Sequence, residues 1–192
     1  MPSKNENGNG IHPRAALITG IVFAAAALRI VPHPMNFAPI GALALFSGAY
    51  FSTKRAAVGV SLLSLVAGDI FTGFHPLIPY VYASFLVSVA IGFWLRRKKS
   101  APRIAGATVA GAIQFFLISN FALWASAIGS YPKSLQGLAA CYVAGLPLFW
   151  NTLAGDAFYV ALLFGGMALV ERRFPSLREP LTAEAGQELA FR

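Results

Sequence analysis

Three ionisable side chains lie inside otherwise apolar stretches of the sequence: Arg29, Asp69 and Asp156. A charged side chain at the centre of a membrane costs about 2.5–3.5 kcal/mol on insertion scales, so such residues usually pair, face a cavity or carry function. Polar residues are concentrated toward the same ends of these stretches. We therefore predict one substrate-binding set, whose members are Arg29, Asn36, Asp69, His75, Asn120, Trp124, Asn151 and Asp156.

Each of these groups also has a structural interpretation. Arg29 and one aspartate could form an ion pair that only fixes helix packing. His33 and His75 stand beside prolines, which is typical of solvated turns, although a ligand or metal role is the alternative. Cys141, the single cysteine, is interpreted as a buried small hydrophobe, with a reactive thiol as the alternative.

The composition places these residues in a membrane protein. The chain has 192 residues, of which 57% are hydrophobic and 11% charged, with a mean hydropathy of +0.64. A soluble domain of this size could not bury so much apolar surface. The net charge of +8 does not indicate nucleic-acid binding, because the basic residues form short clusters between apolar runs, as membrane topology requires.

Six segments have about the 17 to 25 apolar residues that a spanning helix needs. The predicted spans are Ala15 to Val31, Met35 to Phe51, Ala56 to Phe74, Leu77 to Leu95, Ile104 to Ile128 and Pro147 to Val170. The stretch Leu135 to Gly145 is too short to span, so we predict a separate interfacial helix there with Ser134 as its N-cap. Pro147 would then begin the last span. The predicted fold is all-α, with six transmembrane helices.

The basic residues divide by side when the six spans alternate. Thirteen fall on the side of the N-terminus: Lys4, Arg14, Lys54, Arg55, Arg96, Arg97, Lys98, Lys99, Arg103, Arg172, Arg173, Arg178 and Arg192. Two, Arg29 and Lys133, fall on the other side. The positive-inside rule therefore predicts cytoplasmic termini. Residues 1–13 are predicted to be a disordered N-terminus, 14–173 the membrane domain and 174–192 a cytoplasmic tail.

Two short patterns have open interpretations. Ala67-Gly68-Asp69-Ile70-Phe71 recurs as Ala154-Gly155-Asp156-Ala157-Phe158, which is either an internal repeat or chance in a chain rich in Ala and Gly. Ala16, Gly20 and Ala24 form a stripe of small residues, which would either pack within the bundle or dock a partner subunit.

No motif calls for catalysis. The sequence contains no phosphate-binding loop, no His-Glu-x-x-His and no Gly-x-Ser-x-Gly, and we predict neither enzyme activity nor a cofactor or metal. A membrane enzyme acting on a lipid or isoprenoid, using His75 or Asp69, is an open alternative.

Several stretches resemble one bacterial family of small, uncharacterised six-helix proteins with a suggested role in transport. They are Pro34 to Phe51, Ala67 to Asp69, Ser119 to Phe121 with Trp124, Tyr131-Pro132, and Gly137 to Asp156. That family is similar to the substrate-binding S components of energy-coupling-factor vitamin transporters. The resemblance implies a solute pocket near the outer face, and partner contacts through small residues of the first helix. A solitary relative of S components handles cobalamin through a cysteine, for which Cys141 is the only counterpart here.

We therefore expect an uptake protein of the bacterial inner membrane that binds a vitamin- or cofactor-like solute in an outward-facing pocket. Its partners would be the lipid bilayer, the solute and a transmembrane and ATPase partner, with no nucleic acid. Proton coupling through Asp69 and Asp156 is the alternative energy source. The alternative function is a non-transporting structural or assembly subunit of a larger membrane complex.

Overall fold

The structure is a computed structural model that describes residues 13–126 and 128–178. Within these residues it is all-helical, with six α-helices and two short 3-10 turns. The helices are α1 Pro13–Ala27, α2 Ile40–Tyr50, α3 Lys54–Thr72, α4 Ile78–Leu95, α5 Ala101–Ala125 and α6 Leu135–Arg173. The 3-10 turns are Leu28–Ile30, directly after α1, and Pro175–Leu177. Most of the predicted N-terminus and of the predicted tail lies outside the described residues.

Five of the helices are long and apolar enough to cross a membrane, namely α3, α4, α5, α6 and α1 together with its 3-10 turn. The second predicted span is different. Its helix covers only Ile40–Tyr50, about 16 Å, which is too short for a hydrocarbon core of about 30 Å. The prolines at 34 and 39 and the left-handed backbone of Asn36 (φ 62°) keep the preceding residues out of the helix.

The short helix α2 lies at the centre of the bundle. Every residue from Ala42 to Tyr50 is buried, and α2 packs against each of the other five helices. Its closest neighbour is α4, because Gly48 and Gly92 let the two backbones touch: a Cβ on Gly92 would lie 2.9 Å from the Cα of Gly48. Small residues at such crossings are typical of membrane helix packing.

The predicted break before the last span is wrong. Residues Leu135–Arg173 form one helix of 39 residues with Pro147 inside it, rather than an interfacial helix followed by a spanning one. Contacts with α5 hold both sides of the proline, since Phe116 lies against Tyr142 before it and Phe149 after it. The N-cap prediction is confirmed, because the Ser134 Oγ accepts a hydrogen bond from the Gly137 backbone N–H.

The described cationic residues of the larger predicted set gather at one end of the bundle, which we call the basic end. There Arg14, at the start of α1, donates to Glu171, near the end of α6, at 2.8 Å. Arg96, just after α4, donates to the Gly48 carbonyl oxygen of α2 at 2.8 Å, and Lys54, at the start of α3, lies over the Phe93 ring. The starts of α1 and α3 and the ends of α2, α4 and α6 therefore lie at the basic end.

Candidate functional site

The end of the bundle opposite the basic end contains a polar cluster built on an ion pair. Arg29, in the 3-10 turn after α1, donates from Nη2 to the Asp69 Oδ1 of α3 at 2.7 Å. The side chains are only 12% and 6% exposed. Tyr82 of α4 donates its hydroxyl to Asp69 Oδ2, also at 2.7 Å. This cluster joins three helices, and both oxygens of Asp69 are occupied by protein donors.

The guanidinium of Arg29 lies against a glycine next to Asp69. A Cβ on Gly68 would lie 2.5 Å from Arg29 Nη1, so a larger residue there would push the guanidinium away from its present position across α3. The same Nη1 donates to the Leu65 carbonyl oxygen at 3.3 Å. The structural interpretation of Arg29 as a packing ion pair is thus correct in geometry, and it does not exclude a role in the cavity that this pair borders.

Asp156 lies on α6 and is 3% exposed. Its carboxylate faces the N-terminus of α2, where the backbone N–H groups of Gly41 and Ala42 hydrogen-bond to it. A Cβ on Gly41 would lie 2.5 Å from each carboxylate oxygen. Helix α2 has no side-chain cap within its own segment, so at Gly41 and Ala42 a carboxylate from another helix takes that place.

A cavity with two lobes lies between these acidic residues. The Asp156 lobe has a volume of about 260 Å³ and includes Ser84, Ser88 and Phe85 of α4. The Asn120 lobe has a volume of about 290 Å³ and includes Asp69 and His75. Six residues line both lobes, so the two lobes lie side by side: Arg29, Asn36, Ile40, Val81, Phe115 and Thr152. The exposed residues His33, Asn36 and His75 form part of the lining, so the cavity reaches the surface.

The structure brings together six of the eight residues in the predicted binding set. Arg29, Asn36, Asp69, His75, Asn120 and Asp156 line the cavity. Trp124 and Asn151 do not. Trp124 donates to the Pro132 carbonyl oxygen at 2.9 Å, and Asn151 donates to that of Met35 at 3.0 Å, so both tie down loops beside the cavity.

Sequence reasoning missed the polar wall formed by Gln114. This α5 residue donates to Ser88 Oγ at 2.8 Å and accepts from Ser84 Oγ at 3.0 Å, and both serines line the Asp156 lobe. Sequence reasoning also missed Tyr82, whose hydroxyl donates to Asp69. A glutamine inside an apolar helix was the available signal, because such a group needs a partner in lipid.

Cys141 and the small-residue stripe of α1 lie outside the cavity lining. Cys141 is buried and donates to the Asn120 carbonyl oxygen at 3.4 Å, which fits the packing interpretation. In the described part of the chain, no three His, Cys, Asp or Glu side chains are close enough to hold a metal ion. The stripe Ala16, Gly20 and Ala24 faces outward rather than into the bundle, and a Cβ on Gly20 would meet nothing within 4 Å.

The long apolar helices and the buried polar cluster define the chain as a multi-pass helical membrane protein. It belongs to a family of unknown function, DUF6580, whose family model matches residues 9–177. Neither a curated protein nor a solved structure shows significant similarity to the chain.

Proposed function

We propose that this protein takes up a small organic solute, which binds in the two-lobed cavity. The observation that carries the proposal is a cavity of two adjoining lobes in a membrane bundle. The cavity borders three ionisable groups and reaches the surface beside His33, Asn36 and His75, at the end opposite the basic end. Its size and its mixture of aromatic and polar walls suit a small organic molecule. Intramembrane ionisable residues that line a cavity commonly mark a substrate pathway.

The distribution of charge supports an outward-facing cavity. The positive-inside rule places the basic end in the cytoplasm, which would orient the cavity toward the outer side of the bacterial inner membrane. The resemblance to S components implies the same location for a solute pocket and suggests vitamin- or cofactor-like solutes.

The partner is also a proposal. The outward-facing stripe Ala16, Gly20 and Ala24 would let another membrane helix approach α1 closely, as the S-component resemblance implies. A transmembrane partner with an ATPase would then supply energy. Proton coupling through Asp69 and Asp156 remains the alternative.

Ligand binding can be tested with purified protein and a panel of vitamins and cobalamins. A ligand at 100 times its dissociation constant adds about 2.7 kcal/mol to the stability, which a thermal shift detects. We expect Asn120→Ala, in the cavity wall, to reduce that shift for a hit. Asn151→Ala, a matched change outside the lining, should preserve it. If the thermal shift of a hit changes equally in both variants, the ligand binds outside this cavity.

Orientation can be tested by cysteine labelling in a Cys141→Ala background. A cysteine at His33, beside the cavity, should react with an impermeant maleimide on intact cells. A cysteine at Lys98, at the basic end, should react only after permeabilisation. The reverse pattern would contradict uptake from the outer side.

The exposed α1 stripe favours a second function, that of a non-transporting subunit packed inside a larger membrane complex. Affinity purification would then return a stoichiometric complex without an ATPase, and deletion would leave solute uptake intact. Replacing Gly20 with Leu should disrupt that complex, whereas the same change at the exposed Gly106 of α5 should not.

A further inference from the structure

We infer that the solute carries a cationic nitrogen, which pairs with the Asp156 carboxylate in the Asp156 lobe. The inference rests on the proposed function and specifies its substrate class. It follows from an inventory of the Asp, Glu, Lys and Arg side chains that line the cavity in the described part of the chain: Arg29, Asp69 and Asp156.

The only cationic member of this inventory is already neutralised. Arg29 is paired with Asp69 at 2.7 Å, and its second terminal nitrogen donates to a backbone carbonyl oxygen. An anionic solute at Arg29 would have to compete with Asp69, which the Tyr82 hydroxyl also holds in place. The ion pair therefore opposes recognition of an anion.

The other positive feature of the cavity is the N-terminus of α2, which is an ordinary place for an anion to bind. Asp156 itself occupies this place through Gly41 and Ala42. A second anion would face the Asp156 carboxylate at close range. Both of these features are thus used by the protein's own carboxylates.

Asp156 is left with capacity for a ligand. Among the described residues it has no Lys or Arg within ion-pair distance, although it is 3% exposed. A carboxylate offers about four lone-pair sites, and the α2 backbone uses two of them. The lobe beside it also contains the rings of Phe85 and Phe115, which can contact the apolar body of a solute or its cationic group.

The test uses three probes of the same size and shape on the protein in lipid nanodiscs at neutral pH. Benzylamine is cationic, benzyl alcohol is neutral and benzoate is anionic. Saturation-transfer NMR gives the order of affinities. We expect benzylamine to bind tightest and benzoate weakest. Asp156→Asn should weaken the binding of benzylamine at least tenfold and leave the affinity for benzyl alcohol unchanged. Glu171→Gln, the same change at the basic end, should alter none of the three.

The outcomes separate this inference from the proposed function. If benzoate binds as tightly as benzylamine, or Asp156→Asn leaves benzylamine binding unchanged, the cationic class is wrong while solute binding stands. If no probe binds at millimolar concentration but a member of the vitamin panel binds, the cationic class is wrong and solute binding stands; if nothing binds from either set, both proposals fail. The order of affinities in the unaltered protein decides the charge preference even if the Asp156 variant does not fold.

Discussion

The carboxylate of Asp156 lies directly over the Cα of Gly41, so that a Cβ there would be 2.5 Å from both of its oxygens. This contact joins the middle of the longest helix to the start of the shortest one. It provides an acceptor for the N–H groups of Gly41 and Ala42 at a helix N-terminus inside the bundle, where unsatisfied N–H groups are strongly unfavourable.

We expect Gly41→Ala to displace the carboxylate and destabilise the protein by about 1–3 kcal/mol, as overpacking of a tight site usually does. Thermal unfolding of the purified protein measures this. The control is Gly59→Ala in α3, where a Cβ meets nothing within 4 Å and alanine should be neutral or slightly stabilising. Equal effects of the two changes would contradict the close contact between Gly41 and the Asp156 carboxylate.

The Arg29–Asp69 ion pair should show strong coupling. Either Arg29→Gln or Asp69→Asn leaves a charge in a largely buried place, which typically destabilises by about 3–5 kcal/mol. The double variant should lose clearly less stability than the sum of the losses in the two single variants, because neither charge is then left without its partner. Chemical denaturation of all four proteins gives the cycle, and additive losses would contradict a direct pair.

Tyr82→Phe removes the hydroxyl that donates to Asp69. A hydrogen bond to a charged group contributes about 1.5–3 kcal/mol, so the midpoint of unfolding should fall accordingly. Tyr80→Phe, two residues earlier and 45% exposed, is the matched control and should stay within about 0.5 kcal/mol of the unaltered protein. A larger effect at Tyr80 would argue against the geometry of the cluster.

The contact between α2 and α4 should be intolerant of any added methyl group. A Cβ on Gly48 would lie 2.8 Å from the Cα of Gly92 and closer still to the Val89 carbonyl oxygen. Because these obstacles are backbone atoms, Gly48→Ala should destabilise by about 3 kcal/mol, near the upper end for overpacking. Gly106→Ala, on open surface of α5, should not. Thermal unfolding distinguishes the two.

The continuity of α6 can be measured with spin labels in a Cys141→Ala background. Val143 and Phe158, on either side of Pro147, are both exposed. Fifteen residues of unbroken helix separate their Cα atoms by about 22 Å. Pulsed electron resonance should give one narrow distribution, broadened only by the label arms. A broad or clearly shorter distribution would restore the break that the sequence suggests.

The fold was largely predictable, because apolar length and the placement of basic residues are properties of the chain itself. The all-helical class, the approximate positions of most helices and the gathering of basic residues at one end agree with the sequence prediction for the described residues. The helix count does not, because the sequence predicts six spans and an interfacial helix, whereas six helices form in the described part of the chain and five of them are long enough to span. The errors are at prolines. Before α2, prolines shorten a predicted span, whereas Pro147 lies within a continuous helix because α5 supports both sides of it.

The candidate site was predictable in its members more than in its arrangement. A charged residue inside an apolar stretch can be recognised in a sequence, so Arg29, Asp69 and Asp156 could be predicted as candidates directly. In both copies of the recurring Ala-Gly-Asp motif, the glycine allows a close contact next to an aspartate of the site. Gly68 admits Arg29, and Gly155 admits the backbone of Phe37, whose Cα would lie 3.0 Å from a Cβ there. In both motifs the following aspartate lines the cavity.

The sequence by itself determined that the chain needs a membrane, roughly where most of its helices lie and which residues must be shielded from lipid. Those properties follow from hydropathy and charge along a single segment. Only the tertiary structure decided that Asp69 pairs with Arg29 while Asp156 binds the start of α2. Such a choice depends on which helices are neighbours and where their glycines allow close approach, and no single segment contains that information.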